Sequence, residues 1–401
     1  MMKKLLMLGG APSQIPAIQT AKRLGYYVIT CDYLESNPGH QFSDEYHNVS
    51  TVDKEAVLEL ARSLQINGIV CYAADSGAPT VAYVAEKLGL PSFPYSSVEL
   101  LSNKDQFRAF LEENHFDVPK AKGYSTFDEA VIDFDTFIMP VMVKPVDSSG
   151  SRGVTKIFSI NELQDAVTEA LSFSRTKRFV IEEFIEKTGY QIGLDCFSVN
   201  GQLTFCGFGN NHFGSAVNPF LPIVDSCPTY FSTHIQNKVR NEIQRFIDLF
   251  NLRTGPTNFE IQIDRNERVF ILDMGVRNCG DFTKLLKYAT GVDLIEYTIK
   301  AAMGEDCKTL RDIEPKGFWA IYSIFNEENG ILQNIQIDSI FKKENVFEYV
   351  ESVSKFGLPI KANENLGNMV LTFSSMKEML EKINNIKNLV KVVIKETSYF
   401  D

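Results

Sequence analysis

Short apolar runs alternate with amphipathic stretches along the first hundred residues. The apolar runs rich in β-forming residues lie at 5–8, 27–31 and 68–72. The spacing of apolar positions predicts helices at 13–24, 54–64 and 77–88. This order predicts a parallel sheet with right-handed crossovers, whose binding crevice is lined by the loops that leave the strands' carboxyl ends, at 9–13, 32–37 and 73–77.

Later patterns predict a second α/β region behind a linker. Two prolines interrupt residues 90–95, and a helix capped near Asn103 is expected over 104–113. Further elements are expected as short strands around one helix within 140–208, a long helix from 233, strands at 258–263 and 269–274, and a closing strand at 390–395.

Composition narrows the class of protein. The chain has 401 residues, 44% hydrophobic and 23% charged, which is typical of a globular protein of two or three domains. A net charge of −11 without a basic block argues against nucleic acid as a partner. Seven cysteines, none in a CxxC pair, predict free and mostly buried thiols in a reducing compartment.

The N-terminal apolar run ends at Gly9-Gly10 and continues into an amphipathic segment. A buried first strand therefore fits better than a signal peptide. No stretch approaches the roughly 20 apolar residues that a membrane span requires. We expect a cytoplasmic protein without a membrane partner.

Two lysines and a small-residue loop are the first candidates for chemistry. Lys144 shares one face of a strand with Met142, which places an ammonium group beside an apolar patch. The loop 147–154 is rich in serine and glycine, whose backbone amides can approach phosphate oxygens. Lys104 precedes both. Solvated lysines and an ordinary hairpin turn are the plain alternative.

A strand at 179–183 ends in acidic residues and can offer backbone groups to an adenine edge. A strand end that simply faces water is an equal alternative.

A hairpin with two acids carries the strongest signal. A two-residue turn at Asn266 and Glu267 would place Glu260 directly opposite Asp273, with Cβ atoms about 5 Å apart. Like charges so close repel unless a cation lies between them, and Mg²⁺ prefers carboxylates together with nucleotide phosphates. A one-residue shift of the turn would destroy this pairing. Arg277, just beyond, can grip a carboxylate or phosphate with two hydrogen bonds.

In combination, these motifs resemble the ATP-grasp superfamily, most closely its carbamoyl-phosphate-synthase-large-subunit-like and biotin-carboxylase-like members. The resemblance covers nearly the whole chain. It implies an α/β fold in which a Rossmann-like N-terminal (pre-ATP-grasp) domain precedes an ATP-grasp fold with a mobile lid subdomain. The implied divisions are the N-terminal domain 1–95, a linker and helical segment 96–139, the lid 140–208, the catalytic subdomain 209–310 and a C-terminal α/β subdomain 311–401.

The resemblance also implies ATP and Mg²⁺ (or Mn²⁺) as cofactors. The residues implied to bind the nucleotide are Lys104, Lys144, Ser149, Gly150, Ser151, Gly153, Val154, Glu182, Glu183, Phe184, Ile185 and Gln191. Of these, the lysines would contact the phosphates, the loop 149–154 would cover them, and the Glu182 carbonyl and Ile185 amide would read adenine. Glu260 and Asp273 would bind the metal, and Arg277 would stabilise the reacting centre.

Three positions depart from the family pattern. Gln191 stands where an acid usually binds ribose, Asp273 replaces a longer glutamate, and Gly275 stands where an asparagine usually completes the metal site. These departures keep open a non-catalytic ATP-binding homologue.

The expected activity is that of a ligase that joins a small-molecule carboxylate to an amine through an acyl phosphate. Amino-acid-like molecules are the expected substrates. A purine-pathway enzyme of the phosphoribosylglycinamide synthetase type is the named alternative. The stretch 207–224 is expected to face the substrates, and His212 within it fits a structural role as well as a catalytic one. The oligomeric state is open; a homodimer is one alternative, because dimers are common in the resembled families. A nicotinamide-dependent oxidoreductase is the rival class, suggested by Asp32 after the second strand but opposed by the missing GxGxxG spacing.

Overall fold

The computed structural model describes residues 2–351 and 355–395. The N-terminal region comprises β1 (Lys4–Leu8), α1 (Ile15–Arg23), β2 (Tyr27–Cys31), β3 (Glu45–His47), α2 (Lys54–Leu64), β4 (Gly68–Val70) and α3 (Ala78–Leu88). The four strands form a parallel sheet in the order β3-β2-β1-β4. The predicted parallel sheet is therefore confirmed. Strand β3 was not predicted, because this edge strand consists of three half-buried residues without an apolar run.

A second, small sheet follows two helices. The elements are α4 (Tyr95–Leu101), α5 (Lys104–Glu113), β5 (Ala121–Tyr124), α6 (Phe127–Asp133), β6 (Val141–Pro145), β7 (Thr155–Ile157), α7 (Leu163–Phe173) and β8 (Phe179–Glu183). The four strands are antiparallel in the order β5-β8-β6-β7. Their apolar side chains pack against α6 and α7, so this sheet has a hydrophobic core of its own.

An eight-stranded sheet forms the centre of the molecule. Its first part comprises β9 (Gln191–Val199), β10 (Gln202–Phe213), β11 (Pro222–Cys227), α8 (Thr233–Leu249), β12 (Gly255–Ile263), β13 (Val269–Gly275), α9 (Gly280–Thr290) and α10 (Leu294–Ala302). Strand β9 is buried along its whole length, which fits its position between β12 and β10.

The C-terminal elements are β14 (Phe318–Phe325), β15 (Gly330–Ile337), α11 (Ser339–Glu344), β16 (Val346–Glu351), β17 (Pro359–Ile360), β18 (Asn365–Phe373), α12 (Met376–Asn384), α13 (Ile386–Leu389) and β19 (Val390–Lys395). Strands β14, β18 and β16 complete the large sheet, in the order β13-β12-β9-β10-β11-β14-β18-β16. The expected division after residue 208 therefore falls inside β10, and the one after 310 falls between β13 and β14 of the same sheet. The small sheet ends at residue 183, because β9 and β10 pair with β12 and β11 instead.

Helix α5 is held between the small and the large sheet. Its Phe107 is buried and meets Phe246 of α8 edge to face, with 6.1 Å between ring centroids. At its first turn, the Lys104 amide donates to the Val146 carbonyl at 2.9 Å, directly after β6. These contacts fix the helix face that carries Lys104 and Arg108 toward the hairpin β12–β13.

The seven cysteines are free thiols, and six of them are buried, as their spacing predicted. Within residues 2–351 and 355–395, every helix is too short or too polar to cross a membrane.

Candidate active site

Glu260 and Asp273 are direct partners across the hairpin, as predicted, but the predicted turn is wrong. The turn takes three residues, 265–267, with Glu267 in the left-handed region at φ 56°. Asp264 closes it, because its Oδ1 accepts from the Asn266 and Arg268 amides at 2.9 Å each. A β-bulge then takes in Leu272 and restores the pairing of the two acids. The longer turn shifts the strand register by one residue, and the bulge shifts it back by one, so Glu260 again pairs with Asp273.

The two acids have unequal partners. The Lys104 Nζ lies 2.9 Å from Asp273 Oδ2, while Glu260 Oε2 accepts from the side-chain amide of Gln191 at 3.2 Å. Burial and the charge of Asp273 raise the pKa of Glu260. Burial also acts to raise the pKa of Asp273, but Lys104 outweighs it and holds that pKa low. Asp273 thus has an ammonium group in direct contact, whereas Glu260 forms no salt bridge with any described residue.

This pair fits a divalent cation that arrives with phosphates. Within the described residues, no group of three His, Cys, Asp or Glu side chains is placed to hold a metal ion. The two carboxylates can therefore supply part of the coordination shell only. Mg²⁺ normally binds one or two carboxylates and completes its shell with water and substrate phosphates, so this donor set suits a metal–nucleotide chelate.

Lys104 and Lys144 reach the same cavity from different elements. Besides Asp273, Lys104 Nζ donates to the Ser148 carbonyl at 3.2 Å. Lys144 Nζ donates to Glu182 Oε1. The two side chains are only 16% and 15% exposed, so they differ from the solvated surface lysines that were the plain alternative.

The cavity has a volume of about 240 Å³ and gathers most of the predicted nucleotide contacts. Its lining includes Lys104, Met142, Lys144, Ser149, Gly150, Ser151, Val154, Glu182, Glu183, Phe184, Ile185, Gln191, Glu260 and Asp273. Lys187, Gln262 and Leu272 also line it, though the sequence had not singled them out. Phe213 and Phe220, from the stretch 207–224, line it as well. The lining combines charged groups, among them Lys104 and Lys144, with apolar side chains such as Met142, Phe184 and Leu272. This mixture suits a phosphate chain attached to a flat base.

Gly153 is the one predicted contact outside this lining. It has φ +71°, and a Cβ there would lie 2.9 Å from the ring of Phe173. Its role is a close approach of backbone to a ring in a left-handed conformation, which favours glycine. Nearby, Ser151 Oγ donates to the Phe220 carbonyl at 2.8 Å, which ties the loop to the opposite wall of the cavity.

The end of β8 presents backbone and a buried acid. The Phe184 amide donates to the Pro140 carbonyl at 3.0 Å. The Ile185 carbonyl accepts from Gln262 Nε2. The Glu182 carboxylate accepts hydrogen bonds from Lys144 and Arg108. Burial alone would raise the pKa of Glu182, but the two cations outweigh burial, and the net pKa is about 2. Glu182 is therefore an ionised carboxylate that holds two cations in place.

Gln191, one of the three departures from the family pattern, lies beside Glu260. Its Nε2 is within reach of Glu260 Oε2 and of Asn211 Oδ1, at 3.2 and 3.5 Å. An acid at position 191 would add a third negative charge next to the Glu260–Asp273 pair. An amide avoids that repulsion and donates a hydrogen bond to Glu260.

Arg277 is held by an acid of the N-terminal region. Its Nε and Nη2 donate to the two oxygens of Asp75 at 2.7 and 2.8 Å, and its Nη1 donates to Asn258 Oδ1 at 3.0 Å. A Cβ on Gly275 would lie 2.8 Å from Asp75 Oδ1, so the Asp75–Arg277 pair fills the space of a side chain there. Asn258, paired with Gly275 across the hairpin, brings an amide to this place instead.

A second cavity, of about 310 Å³, adjoins the first. Both are lined by Lys104, Ser148, Ser149, Gly150, Glu260 and Asp273, and the second adds Asp75, Arg152, Arg175, Asn258 and Arg277. The acid pair thus stands where the two spaces meet. One cavity suits the nucleotide, and the other leaves room for a second reactant near Arg277.

The stretch 207–224 does not face these cavities as a whole, contrary to expectation. Only Phe213, Pro219 and Phe220 line the first cavity. His212 is 5% exposed and shares a hydrogen bond with Ser226 Oγ at 2.8 Å. Burial, with the charge of Lys187, lowers the pKa of His212 to about 4. It is a neutral histidine of the core.

Several site residues that the sequence did not single out had partial signals. Asp75 lies in the loop 73–77, which was expected to line the crevice, and Arg108 lies one turn after Lys104. Gln262 shares the face of Glu260 by strand alternation. No sequence pattern pointed to Leu272, because its place in the cavity depends on the bulge.

The N-terminal crevice is filled by the protein itself. Gln14 Nε2 donates to the carbonyls of Leu8 and Tyr72, at 3.0 and 3.1 Å. Asp32 is 7% exposed and accepts from the Leu34 amide and from Asn37 Nδ2, at 3.1 and 2.7 Å. The acid that suggested a dinucleotide site is occupied by its own loop, which weighs against the oxidoreductase alternative.

Comparison with known proteins gives both a domain family and structural relatives. Residues 137–284 match the ATP-grasp domain family. A formate-dependent phosphoribosylglycinamide formyltransferase of Prochlorococcus marinus is 27% identical over 216 residues, covering 51% of this chain and 53% of that protein. A carbamoyl phosphate synthase large chain of Pseudothermotoga lettingae is 21% identical over 326 residues, covering 77% of this chain and 29% of that protein. The chain therefore spans about half or less of the length of these relatives.

Two solved structures share the fold over nearly the whole chain. The L-amino acid ligase from Bacillus licheniformis superposes with a TM-score of 0.83 at 19% identity, covering 98% of this chain and 99% of the other. The phosphoribosylglycinamide synthetase from Anaerococcus prevotii superposes with a TM-score of 0.75 at 19% identity, covering 98% and 100%.

Proposed function

The chain carries an ATP-grasp domain over residues 137–284, as its motifs indicated, and from this premise we propose that it is an ATP- and Mg²⁺-dependent carboxylate–amine ligase. The Glu260–Asp273 pair, standing where two cavities meet, is the observation that carries this proposal. The reaction joins a small-molecule carboxylate to an amine and releases ADP and phosphate. The fold likeness to an L-amino acid ligase supports amino-acid-like substrates.

The nucleotide occupies the 240 Å³ cavity in this proposal. The apolar side chains of the lining, among them Met142, Phe184 and Leu272, pack against the base. The Ile185 amide and the Glu182 carbonyl read its edge. Lys104 and Lys144 neutralise phosphate oxygens, and the loop 149–154 covers them. Glu260 and Asp273 hold Mg²⁺ (or Mn²⁺), which when bound offsets the negative charge of the phosphates.

The second reactant lies beside Arg277. The substrate carboxylate attacks the γ-phosphorus of ATP, the bond from that phosphorus to the bridging oxygen breaks, and ADP leaves. The amine then attacks the acyl carbon and releases phosphate. Arg277 orients the carboxylate or phosphate oxygens through its planar fork. The small sheet and the loop 149–154 act as the lid that keeps water from the acyl phosphate.

The test is phosphate release from ATP and Mg²⁺ with pairs of amino acids, with mass spectrometry of the coupled product. We expect turnover with at least one pair, and its loss in Glu260→Ala and Arg277→Ala. Glu267→Ala is the matched control, because Glu267 lies at the tip of the same hairpin, where it pairs with Lys238. Variants at 260 and 277 that turn over as fast as the parent would refute the site assignment.

Two alternatives have specific support. The formyltransferase relative and the synthetase-like fold favour a purine-pathway reaction on a phosphoribosyl amine. The three departures favour a non-catalytic ATP-binding homologue. A product with glycine and phosphoribosylamine would identify the first, and nucleotide binding without turnover on any pair would identify the second. Cytoplasmic location, a homodimer and the domain divisions stay predictions.

A further inference from the structure

The hairpin that carries the acids has a register that works against their pairing. Ile263 pairs with Val269, and Ile261 pairs with Ile271. Continued without interruption, this register would place Leu272 opposite Glu260 and turn Asp273 to the other face of the sheet, because side chains alternate along a strand. The bulge at Leu272 is what brings Asp273 back to the face of Glu260.

A bulge leaves backbone groups without their usual partners on the neighbouring strand. Here Arg108 supplies those partners. Its Nη1 donates to the Ile271 carbonyl at 3.1 Å, and its Nη2 donates to the Leu272 carbonyl. One planar guanidinium therefore bridges the two carbonyls directly before Asp273. An ammonium group has no such rigid fork and cannot reproduce this geometry.

Arg108 is itself firmly held. The residue is 3% exposed, and its Nε donates to Glu182 Oε2 at 3.0 Å. Glu182 also receives Lys144, so the buried guanidinium has a counter-ion that is fixed in turn. Arg108 stands one turn after Lys104 on α5, and Lys104 contacts Asp273 directly. One face of one helix thus supports both the backbone and the side chain of this acid.

We infer that Arg108 is a positioning residue for the divalent cation: it holds the bulge that turns Asp273 toward Glu260. The inference rests on the proposed function, since it takes a metal–nucleotide as the ligand of this pair. Arg108 contacts neither the cation nor the substrates in this role. It differs from Lys104 and Lys144, whose ammonium groups line the nucleotide cavity.

The test compares Arg108→Lys with the parent in two binding measurements. Mn²⁺ affinity is measured by electron paramagnetic resonance on protein saturated with a non-hydrolysable ATP analogue, and ADP affinity is measured in EDTA. We expect Mn²⁺ affinity to fall at least tenfold while metal-free ADP affinity changes less than threefold. Arg178→Lys is the matched control, because Arg178 pairs with Asp105 on the same helix and does not touch the hairpin; it should change neither value.

Equal Mn²⁺ affinity in folded Arg108→Lys and parent would overturn the inference, as would an equal fall of both affinities. If Arg108→Lys does not fold, Arg108→Gln takes its place, with the same expected fall and with Glu182 left to Lys144. A parent that binds no Mn²⁺ with nucleotide would refute the proposed function instead. The crystal structure of Arg108→Lys then decides: Asp273 turned away from Glu260 supports the inference, and an unchanged bulge overturns it.

Discussion

Asp32 and Asp273 both lie at or near the end of a buried strand, but their partners come from different distances along the chain. Asp32 accepts from groups within five residues, in its own loop. Asp273 accepts from Lys104, which is 169 residues away, and stands opposite a second acid. A carboxylate whose neighbours already saturate it has a local structural role. A carboxylate that needs distant cations and faces a like charge indicates a ligand site.

The largest expected difference in turnover is between variants that replace Asp273 and Asp32, one at a time, with asparagine. Asp273→Asn should reduce turnover by about 10³-fold, because the metal loses one of its two protein carboxylates where phosphate charge must be stabilised. Asp32→Asn should leave turnover within about twofold, because its amide can still serve the loop. Phosphate release at saturating ATP measures both. Similar losses in the two variants would erase the distinction between the two acids.

A smaller effect on catalysis is expected when Asp75 is replaced, since Asp75 links the N-terminal region to Arg277 beyond the hairpin. Asp75→Asn removes the carboxylate that grips Arg277, so the guanidinium should lose its fixed orientation. We expect kcat/KM to fall about 10- to 100-fold, in the range of misplaced catalytic groups, with ADP affinity unchanged. The control is Asp44→Asn, which breaks the ion pair of Asp44 with Lys22 in the N-terminal region. A loss in ADP affinity equal to the loss in kcat/KM would contradict a role through Arg277.

Stability against acid should report the buried ion cluster. Burial opposes ionisation of Glu182, but Arg108 and Lys144 lower its pKa to about 2, well below the ordinary value of a glutamate. A depressed carboxyl pKa stabilises the folded state fully above the unfolded pKa, and this contribution is lost as pH falls toward the folded pKa. Relative to Glu182→Gln, the parent should lose roughly 2 kcal/mol of unfolding free energy between pH 6 and pH 3.

Urea unfolding of both proteins across that range is the measurement. If the difference in unfolding free energy between the two proteins stays constant from pH 6 to pH 3, Arg108 and Lys144 do not lower the pKa of Glu182 in the folded protein. Glu129→Gln is a surface control, since Glu129 accepts only backbone amides at the start of α6.

The smallest effect is expected at His212. Because burial lowers its pKa to about 4, the imidazole is neutral throughout the range from pH 6 to pH 8. His212→Gln should therefore leave the shape of the pH–rate profile unchanged over that range. Loss of an inflection near pH 6.5 in the variant would give His212 the catalytic role that its surroundings oppose.

The elements that the sequence predicted well are those with local causes. Strand β2 and helices α2 and α5 follow from the apolar periodicity of their residues. Helix α5 begins at Lys104 as predicted, but Asn103 forms no side-chain cap hydrogen bond, so the predicted cap is wrong. The pairing of Glu260 with Asp273 was also predicted, but from a turn that the structure replaces. The compensating bulge depends on Arg108, which arrives from another element, so no local pattern in the hairpin could reveal it.

The same reason explains what was missed around the site. Asp75 and Arg277 are 202 residues apart, and their contact requires the N-terminal sheet to pack against the hairpin. The crowding at Gly275 follows from that contact. His212 looked exposed to substrate because its strand was expected at the site, whereas the strand buries it. Distant packing decided each of these positions.

The central claim is that Glu260 and Asp273 together hold the divalent cation of a nucleotide. Crystals grown with Mn²⁺ and a non-hydrolysable ATP analogue test it directly through the anomalous signal of manganese. We expect one strong anomalous peak between the two carboxylates, in contact with the phosphates, with Lys104 and Lys144 beside them. A peak elsewhere, or a nucleotide bound in the N-terminal crevice near Asp32, would contradict it.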